Sequence, residues 1–256
     1  MGLLSGLSAT IARCWRRWTS REELHASPTV ISVSNSNSLA QSLEADLDWR
    51  FAELATLRIQ AVTSVNGSIL HQAILRALVA MLYAHYEGFC KFAIRSYMDT
   101  LIRMGINRSA LKKSIKILSL SEVFARLKAD ISPGSCWGFF EADLPLALTQ
   151  AIDFPRNRDG DFVLDGESNL YANLLKNNLA NLELPTNFVD SHTIRINSLV
   201  GRRNAIAHGK PLIIRQLREY EELAHDVSLL MYELAYALVD ALDTQAYLEP
   251  STPPSP

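Results

Sequence analysis

The stretch ILHQAILRALVAMLYAHYEGFCKFAIRSYMDTLIRM, residues 69–104, decides the fold. It contains no proline, and its middle, ALVAMLY at 77–83, is apolar all round. A helix that is apolar on every side belongs at the centre of a bundle. The proline-free region is longer still, running from Pro28 to Pro133. Proline breaks helix interiors, so its absence permits long helices. Upstream, Leu43, Leu47, Phe51, Leu54, Leu57 and Val62 recur at steps of mostly three or four, which marks one face of a preceding helix. Ser38 or Ser42 is expected to cap its start, and Asn66-Gly67 to end it.

After Gly105 the pattern predicts shorter helices near 108–118 and 121–130, then a break at Ser132-Pro133-Gly134. A helix near 143–152 follows. The run DFPRNRDGDFVLDGES, 153–168, carries two Asp-Gly pairs and reads as a loop, a short insertion near 155–167 that is either irregular or a hairpin. Helices are expected again near 168–182, 187–207 and 215–247. The reading is all-α, a bundle of long antiparallel helices forming one domain over 38–248. A mobile arm, 1–37, precedes it, and a proline-rich disordered tail, 249–256, follows.

Composition supports a packed domain. Of 256 residues, 48% are hydrophobic and 20% charged, ample for a core. Lys and Arg total 25 against 27 Asp and Glu, a net charge of -2, which excludes an all-over basic coat but not a local basic site. Cys14, Cys90 and Cys136 are odd in number and far apart, as suits a reducing cytoplasm rather than a disulfide scaffold. No apolar run reaches the roughly 18–20 residues of a membrane span. Near the start, Arg13, Trp15, Arg16, Arg17 and Trp18 are compatible with a short amphipathic helix on a membrane or partner, or with a loosely ordered terminus.

Familiar catalytic signatures are missing: no HExxH, no phosphate-binding GxxxxGK[ST] loop, no GxSxG elbow. Asn157, Asp159 and Asp161 alternate as in a calcium loop, but Phe162 and Ser168 stand where that loop needs Gly and Glu. No metal and no cofactor are expected. His71, His85, His192 and His225 fall in helical pattern and read as packed or exposed side chains, and His25 lies in the arm. His85 and Glu87, two apart, point to different sides of a helix.

His208 differs. It closes the string Val200-Gly-Arg-Arg-Asn-Ala-Ile-Ala-His-Gly-Lys210, with Arg203 five positions before it. Five residues turn through about 500°, so Arg203 and His208 stand about 140° apart on a straight helix. Two solutions remain open. Either the helix ends between them, as Gly209 and Pro211 favour, or two copies of the chain each lend a side chain to one cleft. From Ser191 to Arg218 there is no acid, and Arg195, Arg202, Arg203, Lys210, Arg215 and Arg218 supply six cations. A second acid-free stretch, Arg103 to Leu120, holds Arg103, Arg108, Lys112, Lys113 and Lys116. Such patches suit an anionic substrate.

Arg203-Asn204-Ala205-Ile206-Ala207-His208-Gly209 resembles the R-x4-H motif of HEPN domains (higher eukaryotes and prokaryotes nucleotide-binding). Leu82-Tyr83-Ala84-His85-Tyr86-Glu87-Gly88-Phe89 is similar to the helix of a prokaryotic HEPN subfamily with an aromatic-Glu-Gly-Phe run, and Glu167-Ser168-Asn169-Leu170 resembles a further feature of that group. The resemblance spans about 70 to 245. It implies a helical bundle that forms a homodimer with the R-x4-H segments facing each other. It also implies metal-independent cleavage of single-stranded RNA, in toxin–antitoxin or phage-defence settings. Some members have lost catalysis and only bind nucleotides or partners. On this reading Arg203 and His208 are catalytic. Asn204 and Glu87 support them, and Arg202 and Lys210 hold RNA phosphates. The partners expected are RNA, a second copy, and an antitoxin or defence protein.

Overall fold

The computed structural model describes residues 30–158, 160–163 and 169–250, with side chains from residue 35 onward. Four long helices form the body: α1 (Val30–Thr63), α2 (Ile69–Arg103), α8 (Asn187–Ala207) and α9 (Leu217–Asp243). Between α2 and α8 lie a 3-10 turn (Arg108–Ala110), α3 (Lys113–Ser119), α4 (Ser121–Ala129), α5 (Pro133–Gly138), a π turn (Phe139–Asp143), α6 (Leu144–Thr149) and α7 (Ala172–Asn181). No strand forms among the described residues, and the protein is all-α.

The apolar reading of α2 holds. Leu75, Leu78, Val79, Leu82, Tyr86, Phe89 and Cys90 are fully buried. Helix α2 packs against α1, α8 and α9, and α9 also packs against α1 and α8. Cross-helix pairs give the directions. Arg58 meets Glu221 while Phe51 stacks on Tyr232, so α1 and α9 are antiparallel. His192 meets Glu233 while Arg202 meets Glu219, so α8 and α9 are antiparallel too.

Helix α1 starts earlier than expected, so Ser38 and Ser42 lie inside it as exposed residues and cap nothing. At its far end Val62 is 58% exposed and Ala61 takes the inward place. The small alanine was invisible to a search for large apolar side chains. Gly67, at φ +75°, makes the turn, and the Ser68 hydroxyl caps α2 by accepting from the His71 N–H at 3.1 Å.

Ser132-Pro133-Gly134 does not simply break the chain. Ser132 caps α5 and Pro133 occupies its first turn, where proline's missing N–H costs nothing. This excursion, from α4 to α6, has its own small core of Leu120, Val123, Phe139 and Ala147. Within the expected insertion, Arg156 and Phe162 form one isolated antiparallel bridge. Asn157 N–H donates to Asp161 O at 2.7 Å and Val163 N–H to Pro155 O at 3.0 Å, with Gly160 at φ +84° in the turn. The arm up to Thr29 and the tail from Ser251 lie outside the described residues. Glu249 is tied by its N–H to Ala110 O at 2.9 Å.

Candidate functional site

The Arg203–His208 string lies at the C-terminal end of α8. The helix runs through Arg203 and stops at Ala207, with His208 as its cap residue. Gly209, at φ +68°, donates to Ile206 O at 3.0 Å, and Lys210 donates to Ala205 O at 2.9 Å. That pair of bonds is a Schellman ending, which needs the left-handed conformation that glycine adopts without strain.

Arg203 turns inward onto α2. Its guanidinium carbon lies 4.2 Å from the centre of the Tyr83 ring. Nη1 donates to Asn169 Oδ1 at 2.6 Å and to Asn204 Oδ1 at 3.1 Å. Nη2 stands 3.8 Å from Glu87 Oε2, and Glu87 Oε1 accepts from Lys91 Nζ at 2.8 Å. Among the described residues, Nε and Nη2 make no hydrogen bond. The side chain is 32% exposed.

The partners of Arg203 are themselves tied down. Tyr83 accepts from Leu170 N–H at 3.1 Å, and Tyr86 donates to Leu170 O at 3.2 Å. Ala172 N–H donates to Asn197 Oδ1 on α8 at 3.3 Å. The segment from Asn169 to Ala172 is thus strapped to both helices. Burial pushes the Tyr83 phenol up to about 12, with the Glu87 carboxylate adding to the rise and the Leu170 N–H and Arg203 opposing it.

Arg203, Asn204 and Glu87 therefore come together, while His208 does not join them within one chain. Its ring is exposed and has no side-chain partner among the described residues. Lys210 is likewise exposed and unpaired there, whereas Arg202 faces Glu219 at 3.5 Å. Sequence reasoning left Asn169, Tyr83 and Tyr86 out of the site. Asn169 and Tyr83 stood in quoted motifs, but nothing in their spacing showed that they close around Arg203.

The basic stretches look different in space. Glu219, Asp226 and Glu222, all from α9, pair with Arg202, Arg195 and Arg218. The acid-free run is thus partly neutralised by the neighbouring helix. In the second stretch, Arg108 is buried. It donates to Ser119 O, Ala147 O and Gln150 Oε1, each at 3.3 Å, and holds the α4–α6 excursion rather than facing solvent.

Three other histidines, His71, His85 and His192, lie beside carboxylates or hydroxyls, and His225 is exposed. His71 Nδ1 lies 2.8 Å from Ser64 Oγ, and His192 Nε2 lies 2.9 Å from Glu233. His85 faces α1 and Glu87 faces α8, on different sides of α2 as expected. Two clefts of about 240 and 390 Å³ lie elsewhere, and neither is lined by Arg203 or His208. No helix among the described residues is long and apolar enough to cross a membrane. No group of three or more His, Cys, Asp or Glu in that region could hold a metal ion.

The family described as MAE_28990-like HEPN matches this chain over residues 39–247. That is most of the chain, from within α1 to beyond the end of α9, so the protein belongs to the HEPN family. No curated protein and no solved structure matches it.

Proposed function

We propose that this protein is a metal-independent endoribonuclease that cuts single-stranded RNA at a site completed by two copies of the chain. The observation that carries this reading is the presence of an anchored cation and an exposed imidazole at one helix end. Arg203 is held through Nη1, its Nη2 stands 3.8 Å from Glu87 Oε2, and its side chain is 32% exposed. His208 stands exposed at the cap.

RNA carries its own nucleophile. The ribose 2′ oxygen attacks the adjacent phosphorus, and the P–O2′ bond forms as the P–O5′ bond breaks. One His208 takes the 2′ proton, and the second copy's His208 supplies a proton to the departing 5′ oxygen. Imidazole titrates near neutrality, so it serves in both roles. The guanidinium edge of Arg203 forks onto the phosphate oxygens, whose charge grows in the transition state. Asn204 braces Arg203, and Glu87 limits its swing. Lys210 and Arg202 hold flanking phosphates. DNA lacks the nucleophile and survives. The setting is cytoplasmic, as a toxin or phage-defence effector with an antitoxin or defence partner.

The test is end-group analysis of single-stranded RNA incubated with the protein in EDTA. The reading expects 2′,3′-cyclic phosphate and 5′-hydroxyl ends, and intact DNA of the same sequence. Ends of the opposite polarity, 5′-phosphate with 3′-hydroxyl, contradict it.

One observation favours a second reading. Arg203 already satisfies Asn169 and Asn204 and lies near the Glu87 carboxylate. An arginine so engaged also suits a non-catalytic HEPN module that binds nucleotides, RNA or a partner protein. RNA binding without cleavage across a wide substrate panel selects that reading.

A further inference from the structure

We infer that Asn169 is a positioning residue for Arg203: the strap from Asn169 to Ala172 fixes Nη1 and so sets how the remaining guanidinium donors meet the substrate phosphate. This rests on the ribonuclease reading for its catalytic consequence, but not for its geometry.

A guanidinium has five N–H donors in a rigid plane, so fixing one nitrogen and one face fixes the rest. Asn169 Oδ1 takes one Nη1 proton at 2.6 Å and Asn204 Oδ1 takes the other at 3.1 Å. The Tyr83 ring supports one face at 4.2 Å. Asn204 precedes the helix end on the same element as Arg203 and moves with it. Asn169 comes from a different segment, 34 residues away, and with the Glu87 carboxylate and the Tyr83 ring ties Arg203 to the rest of the fold.

That acceptor is itself held. Leu170, the next residue, is 2% exposed, and both its backbone groups are claimed by tyrosine hydroxyls of α2. Tyr83 therefore has two duties: its ring carries Arg203, and its oxygen fixes the strap. The three contacts close a loop of Tyr83, Leu170–Asn169 and Arg203. A shift of any member turns the guanidinium edge.

The experiment compares Asn169→Ala and Asn169→Asp in the full chain. The alanine variant loses the acceptor. A misaimed group costs rate more than binding, so kcat is expected to fall about 10- to 100-fold with KM nearly unchanged. The aspartate variant keeps an oxygen in place and adds a negative charge. It should hold kcat within about threefold and raise KM, because its charge opposes phosphate binding. Thermal midpoints of both variants are recorded, since a merely structural residue would move those and not split kcat from KM.

A second readout does not depend on catalysis. The guanidinium N–H signals of Arg203, assigned by comparison with Arg203→Lys, should show hindered rotation in the wild type and averaged signals in Asn169→Ala. If wild type cuts no RNA while this difference appears, the ribonuclease reading fails and the positioning assignment stands. Unchanged Arg203 signals in Asn169→Ala, or an unchanged kcat in an active protein, overturn the assignment.

Discussion

Gly88 on α2 faces the guanidinium of Arg50 on α1, and a Cβ at position 88 would sit 2.8 Å from Arg50 Nη1. Arg50 is 8% exposed and cannot step aside freely, because Asp46 accepts from its Nε at 2.6 Å. Glycine inside a helix normally costs about 1 kcal/mol relative to alanine, so its presence here has a steric reason. Gly88→Ala should destabilise the protein by about 1–3 kcal/mol through overpacking. In an Arg50→Ala background the same change should be neutral or stabilising. Urea unfolding of the four proteins checks this, and a Gly88→Ala cost that is equal in both backgrounds removes the steric explanation.

The Arg50–Asp46 pair is itself nearly buried, at 10% and 12% side-chain exposure. Removing one member of such a pair leaves an uncompensated charge, which costs about 3–5 kcal/mol. Asp46→Ala is expected to fall in that range. A loss below about 1 kcal/mol would place the pair with weak surface bridges.

His85 sets a pH dependence. Arg50, Asp46, Glu53 and Trp49 face it from α1. Burial pushes the imidazole below its ordinary value of 6.5, with Arg50 acting the same way and the Glu53 carboxylate opposing. Glu53 comes within 2.9 Å of Nε2 but off its hydrogen-bonding direction. The folded state therefore holds its proton less tightly than the unfolded chain. The sign follows from linkage: this contribution is complete above pH 6.5 and is lost as pH falls from there through the lowered folded value. Urea midpoints at pH 7.5 and 5.5 should differ more in wild type than in His85→Gln. An equal difference in both assigns the acid sensitivity to other groups.

Arg108 and Lys210 should separate stability from RNA binding. Arg108 is buried against two carbonyl oxygens and one amide oxygen, so Arg108→Ala should cost about 2 kcal/mol or more and leave the salt dependence of RNA affinity alone. Lys210 is exposed, so Lys210→Ala should leave stability within about 0.5 kcal/mol. It should reduce the slope of log affinity against log salt by about 1. The reverse pattern would move the RNA-binding surface to the Arg103–Leu120 stretch.

The α-helical architecture was legible because its signals are local. A proline-free run, an all-apolar α2 and a Gly-Lys-Pro ending at 209–211 each act within a few turns. The start of α1 was misplaced because Ser38 and Ser42 have capping chemistry but no chain break before them. The site was half legible. Arg203, His208 and Glu87 stood out by residue type and motif. Asn169 did not, because its role arises from a contact across 34 positions. The apparent basic stretch misled for the same reason: the acids that meet Arg195 and Arg202 come from α9. Arg108 misled because a cation satisfied by oxygens of other segments has no sequence signature.

The most direct measurement is the initial rate of single-stranded RNA cleavage in EDTA by wild type, Arg203→Ala and His208→Ala. Losing a transition-state donor or a proton-transfer group should lower the rate about 100-fold or more in each variant. Cleavage by both variants at the wild-type rate would contradict the account.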